Sequence, residues 1–152
     1  MEHRFTFKLL SFRFAIIQDA PELARLNREL IDDEGHTNPM TQAELTARMR
    51  RWIASDEYTA VIFRMNEAAR TETVGYVLYH DEGKHVYVRH FYVARLHRRL
   101  GIGRQMIELF RERIAPRKRI TLEVLFANDR ARKFYTAMGF GEYAVVMERL
   151  TE

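Results

Sequence analysis

Cysteine is absent from this 152-residue chain. That removes disulfide frameworks, thiolate metal sites and a cysteinyl acyl-enzyme, and it suits a reducing, cytoplasmic location. Serine is nearly as scarce: Ser11 and Ser55 stand alone, neither in a G-x-S-x-G setting, so serine-hydrolase chemistry has no nucleophile to use. Apolar runs never approach the roughly 18 residues of a bilayer span. Lys8 and Arg13 also interrupt the apolar N-terminal stretch before a signal-peptide core could form, so no membrane association is expected. A Walker phosphate loop does not occur, and the dinucleotide fingerprint would need a third glycine where Met106 stands. No H-E-x-x-H occurs either. His80, His85 and His90 are spaced five apart along strand-like sequence, which turns neighbours to opposite faces, and no metal is expected.

Charge is present in quantity: 25 basic residues against 21 acidic ones give a net +4 and an isoelectric point near 9.6. Such a balance is compatible with nucleic acid, an anionic cofactor or neither, so its distribution decides. Much of it crowds between Arg89 and Lys133, around a glycine-bearing segment rather than along an aromatic platform of RNA-binding type, so no nucleic-acid partner is expected. Length, the 47% hydrophobic content, and the absence of repeats or low-complexity linkers predict one domain over residues 1–152.

Phe12 to Ile17 is apolar and β-branched, which predicts a first strand, with Met1 to Leu10 before it either an extra strand or a loose extension. Asp19 with Glu22 reads as a capping box opening a helix whose Leu23, Leu26, Leu30 and Ile31 share a face until Gly35. Thr41 with Glu44 repeats the signal ahead of Leu45, Met49, Trp52 and Ile53. Tyr58–Met65, Thr73–His80 and His85–Val93 then read as an antiparallel meander. After the basic segment Ala94–Arg99, a helix carries Ile102, Met106, Leu109, Phe110 and Ile114 on one side until Pro116. Ile120–Phe126 is a strand, and Asn128 or Asp129 caps a helix with Ala131, Phe134, Tyr135 and Met138 inward. Gly139 stops that helix, and Tyr143–Met147 is a closing strand.

Gly101 and Gly103 let backbone N–H groups approach a ligand without Cβ obstruction, at the positive end of the helix that begins there. With Arg98, Arg99 and Arg104 beside them, this is a candidate anion site. The segment Arg98-Arg99-Leu100-Gly101-Ile102-Gly103 matches the Q/R-x-x-G-x-G/A loop of the GNAT acetyltransferases. Asn128-x-x-Ala131-x-x-Phe134-Tyr135-x-x-x-Gly139-Phe140 matches that superfamily's second segment, in the right order and on the right elements. The chain therefore resembles a GNAT N-acetyltransferase from Phe12 onward.

The resemblance implies a mixed α/β fold: a central, mostly antiparallel sheet of about six to seven strands flanked by about four helices. It implies acetyl-CoA as cosubstrate and direct acetyl transfer to a primary amine of a small molecule, peptide or protein in a ternary complex. The alternative is a GNAT-like domain that binds acyl-CoA without catalysis, as a sensor or partner module. The loop residues Arg98, Arg99, Leu100, Gly101, Ile102, Gly103 and Arg104 are expected to hold the cofactor's phosphates. Backbone groups of Phe91, Tyr92 and Val93 would meet its pantetheine arm and the thioester carbonyl, with Asn128, Ala131, Phe134 and Tyr135 lining the same site. Tyr135 is the expected general acid, since a phenol with an ordinary pKa near 10 is protonated at neutral pH and can donate to a departing thiolate. Many relatives carry an acidic base in the strand His85–Val93, but this chain has none there, which leaves His90, Glu123 or water to take the amine's proton. The acceptor is expected between the first two helices and the central strands. Asp32-Asp33-Glu34 beside His36 is either an acidic mouth for a cationic amine or a solvated helix end. A homodimer is left open.

Overall fold

The computed structural model describes residues 10–35, 37–67 and 70–152. Five strands form one mixed sheet in sequential order: β1 (Leu10–Phe14), β2 (Thr59–Glu67), β3 (Arg70–Asp81), β4 (His85–Val93) and β5 (Arg119–Leu122). The first four pair antiparallel, and β5 joins β4 in parallel. Among the described residues four α-helices flank the sheet: α1 (Ala20–Asp33), α2 (Gln42–Ala54), α3 (Ile102–Leu109) and α4 (Asp129–Ala137). α3 runs on into a π-helical turn, Phe110–Ile114, closed by the Ala115 N–H donating to the Phe110 carbonyl at 2.9 Å.

The period-two alternation of the strands divides the apolar residues between the two sheet faces. Val61, Phe63, Val77, Val86 and Val88 meet Met106 and Phe110 of the α3 layer. Ile62, Tyr76, Leu78 and Tyr92 point the other way, against Leu23, Leu26, Met49 and Trp52 of α1 and α2. Full burial of each large side chain contributes about 1.5–3 kcal/mol, so both layers are held chiefly by this burial.

Several sequence expectations need correction. The first strand ends at Phe14 rather than Ile17, and Ile17–Asp19 is a short 3-10 turn. Asp19 does not cap α1 through its side chain. Its carboxylate accepts two hydrogen bonds from Arg13 at 2.8 Å and one from the Ile16 N–H at 2.8 Å, so it ties β1 to the start of α1. The Arg13 hydrogen bonds hold Asp19 below the usual carboxylate range. Thr41 does cap α2, accepting from the Glu44 N–H at 3.2 Å.

The strand expected to run to Phe126 leaves the sheet after Leu122. Tyr143–Met147 is not a strand: it is unpaired and exposed, with Val145 at 85%. The sheet among the described residues is thus smaller than the six to seven strands expected, and the expected extension over residues 1–9 lies outside them. Among the described residues no helix is long and apolar enough to cross a membrane.

Candidate active site

β4 changes character halfway along. His85, Val86, Tyr87 and Val88 pair with Arg119, Ile120, Thr121 and Leu122 of β5, and the pairing stops there. On the other side, the register with β3 slips between Leu78↔His90 and Tyr79↔Val88, leaving Arg89 as the extra residue of a bulge. From His90 to Val93 the strand is laddered to β3 alone. The Ala94 N–H donates to the Val74 carbonyl at 2.8 Å. By the antiparallel alternation, Tyr92 and His90 then direct their backbone polar groups toward β3, whereas Phe91 and Val93 direct theirs into the gap left by β5.

Close packing fixes this half of the strand. A Cβ on Gly75 would lie 2.3 Å from the Tyr92 carbonyl oxygen and 2.9 Å from the Met106 side chain, so only glycine fits opposite Val93. Across the gap stands α4. Phe91 stacks on Phe134 at 6.1 Å between ring centroids and meets Tyr135 edge-on at 6.1 Å. Asn128 caps α4, its Oδ1 accepting from the Ala131 N–H at 3.2 Å. The gap therefore has one wall of unladdered amides and another of aromatic rings.

The glycine loop closes one end. Gly101 takes a left-handed conformation, φ 74°, and a Cβ added there would project into open space. A Cβ on Gly103 would sit 3.3 Å from Phe134 and 3.4 Å from Val93, so this glycine lets the start of α3 come close to both walls. The first N–H groups of α3 have no partners within the helix and carry its positive end.

The arginines of the loop divide into two kinds. Arg98 is turned inward: its Nε donates to the Val93 carbonyl at 3.0 Å, and its guanidinium lies 2.5 Å from Asp33 and 5.1 Å from the Tyr92 ring centroid. Arg95 joins the same carboxylate at 2.9 Å. Burial works to raise the Asp33 pKa, but the hydrogen bonds from Arg95 and Arg98 outweigh it and leave the carboxyl below its ordinary value. Arg99, at φ 63°, and Arg104 are exposed and have no carboxylate partner among the described residues. The chain thus offers a left-handed glycine, free helix N–H groups and two uncommitted guanidiniums together, a donor set that fits the phosphates of coenzyme A.

Tyr135 is half-buried beside Phe91, Phe134 and Phe140. Burial, assisted by the Glu34 carboxylate, pushes its pKa above that of an ordinary phenol. His90 is enclosed by the Trp52 and Tyr76 rings, and its Nδ1 is 3.1 Å from the Tyr76 hydroxyl. Burial and the nearby Arg48 and Arg89 push its pKa down to about 3, so the ring is neutral. Glu123 is exposed just beyond β5.

His80 and His85 serve other contacts: the Glu57 carbonyl for His80, and Thr121 at 2.6 Å for His85. No metal-binding group of three or more His, Cys, Asp or Glu exists among the described residues. Of the acidic run, Asp33 braces the loop, Asp32 lies 3.7 Å from Arg28, and Glu34 acts on both Tyr135 and Tyr76. His36 lies outside the described residues. Sequence reasoning missed Arg48, Trp52 and Tyr76 as groups around His90, since only tertiary packing of α2 on the sheet brings them there.

Against known proteins, the profile of the Acetyltransferase (GNAT) family matches residues 23–140. No curated protein matches the chain. Among solved structures, a possible acetyltransferase from Clostridium difficile 630 is 17% identical with a TM-score of 0.73, over 95% of this chain and 98% of that one. A ribosomal-protein-alanine N-acetyltransferase from Brucella melitensis is 18% identical with a TM-score of 0.68, over 93% of this chain and 100% of that one. An aminoglycoside N-acetyltransferase in complex with CoA is 14% identical with a TM-score of 0.72, over 94% and 95%. At these identities the likeness is one of fold.

Proposed function

Because the chain belongs to the GNAT acetyltransferase family, we propose that it binds acetyl-CoA in the gap beside the second half of β4 and transfers the acetyl group directly to a primary amine. The observation that carries this reading is the end of β4–β5 pairing at Val88 and Leu122, next to a glycine loop where a Cβ on Gly103 would lie 3.4 Å from the Val93 side chain. Extended, amide-bearing ligands pair with unladdered strand backbone, and the gap-facing groups of Phe91 and the Val93 N–H supply it, the Val93 carbonyl already accepting from Arg98. Arg99, Arg104 and the first N–H groups of α3 take the phosphates, while Arg98 holds the loop in shape. Leu100 and Ile102 act through their backbone, and Phe134, Ala131 and Asn128 form the wall opposite Phe91. The acetyl thioester supplies the activated carbonyl. A fixed N–H of β4 then meets the negative charge that develops on its oxygen, an effect of about 3 kcal/mol in acyl transfer.

Tyr135 donates to the departing sulfur. Its raised pKa keeps the hydroxyl protonated at neutral pH, and because it then holds its proton more tightly than a thiol does, its main role is to hydrogen-bond the thiolate. The amine must lose a proton as the N–C bond forms and the C–S bond breaks. His90 is a weak acceptor with a pKa near 3, and Glu123 is exposed, so water is the favoured carrier. Free-thiol release from acetyl-CoA across a panel of amines and peptide N-termini tests the reading: turnover with at least one amine is expected. Acetyl-CoA binding without thiol release would favour the sensor alternative, and no binding at millimolar acetyl-CoA would remove both.

A further inference from the structure

On the face of the sheet that carries α1 and α2, two guanidinium groups converge on one indole. Arg48 of α2 lies 4.5 Å from the Trp52 ring centroid, and Arg89, the bulged residue of β4, lies 5.1 Å from it. Arg89 also sits 5.6 Å from the Tyr58 ring centroid and donates to the Tyr58 hydroxyl at 3.3 Å. Neither arginine has a carboxylate partner among the described residues, unlike Arg95 and Arg98, which share Asp33. Arg48 spends one Nη on the Asn27 side-chain oxygen at 2.9 Å, while its Nε is buried with no hydrogen-bond partner. Burial first, and then the charge of Arg89, hold the Arg48 pKa below its ordinary value.

Two like charges side by side, one partly buried with an unmet donor, are costly unless something offsets them. Stacking on Trp52 offsets part of this through the indole face. An anionic group set between the two forks would offset the rest. The position gives such a group a meaning: Arg89, at the bulge, precedes Phe91 by two residues on β4, and Phe91 is the residue that meets Tyr135.

We infer that Arg48 and Arg89 hold an anionic group of the acceptor, a carboxylate or phosphate set several bonds from the amine that is acetylated. The inference rests on the acetyltransfer reading above. It makes the acceptor an amine that also bears a negative charge, of the amino-acid class if the group is a carboxylate, rather than a polyamine. Arg48 and Arg89 are specificity residues here, and Tyr58 and Trp52 supply the flat surface on which both forks are oriented.

Trp52 is the chain's single tryptophan, so its emission reports directly on this cluster. The test titrates the protein, saturated with CoA, with the N-acetyl derivatives of β-alanine, 4-aminobutyrate and 5-aminopentanoate, each carrying one carboxylate, and with their C-terminal amides. O-phosphoethanolamine and ethanolamine form a second pair. A saturable change in Trp52 emission with one or more of the acids, absent with the matching amide, is expected, and Arg89→Gln should weaken it about tenfold or more. Arg48→Gln should act likewise; Arg89, being exposed, is the variant that leaves folding intact. Saturation by O-phosphoethanolamine alone would assign the anion as phosphate. Acids and amides behaving alike, no saturation by either anion, or an Arg89→Gln protein binding as well as the wild type would overturn the inference. Calorimetric titration of the wild type with acetyl-CoA, run alongside, fails only if the acetyltransfer reading itself is wrong.

Discussion

The two halves of β4 have the same backbone and different partners. His85–Val88 is laddered on both sides, and its Val86 and Val88 are core residues. Arg89–Val93 begins with a bulge, is then laddered on one side, and has around it the groups proposed to bind and act on substrate: Phe91, Tyr135, Arg89 and the Gly101 loop. The lesson is that one strand can be scaffold and site in succession, the change being made by where its neighbour departs rather than by its own composition. Both halves are rich in β-branched and aromatic residues: Val86, Tyr87 and Val88 in the first, Phe91, Tyr92 and Val93 in the second.

The largest expected effect that separates the halves is that of Tyr135→Phe. Turnover should fall by about 10²- to 10³-fold, as for loss of a hydrogen bond to developing negative charge, while calorimetric acetyl-CoA affinity stays close to wild type. Normal turnover would remove Tyr135 from the chemistry. Next is Gly75→Ala, whose Cβ collides with the Tyr92 carbonyl; overpacking of this kind costs about 1–3 kcal/mol or more, seen as a lower thermal midpoint. Acetyl-CoA affinity should fall with it, since the amides of Phe91 and Val93 move. Stability lost without any loss of affinity would break the link between strand geometry and binding.

The smallest effect is a pH dependence. His90 titrates near 3 when folded and near 6.5 when unfolded, so the unfolded chain takes up the proton first. The stability this contributes is fully present above about pH 6.5 and is lost as pH falls toward 3. Between pH 7 and 6 the loss is about 0.7 kcal/mol. Denaturant unfolding of the wild type and His90→Gln should differ by that slope; parallel curves would mean that His90 is not held neutral.

Much of this was legible from local sequence. The ends of β4, the helix start at the glycine loop and the cap, expected at Asn128 or Asp129 and found at Asn128, depend on residues a few positions apart, and the structure agrees with these expectations. What depended on distant partners was read less well. Tyr143, Val145 and Met147 alternate as a strand would, yet a strand needs a free edge at the right place, and the alternation says nothing of one. Asp19 carries the signature of a helix cap, but Arg13, six residues earlier, claims its carboxylate. Arg48 draws no expectation from the sequence, and Glu34 is one of three carboxylates that read as either an acidic mouth or a solvated helix end; the packing of α1 and α2 on the sheet sets Arg48 over Trp52 and Glu34 near enough to raise the Tyr135 pKa.

The claim that the open half of β4 receives the cosubstrate can be measured residue by residue through backbone amide chemical shifts, recorded with and without saturating acetyl-CoA. The account predicts large shifts and slowed exchange at Phe91, Val93 and the amides of 101–104, with Tyr87 and Val88 barely moved. Shifts centred on His85–Val88, or none in either half at saturation, would contradict it.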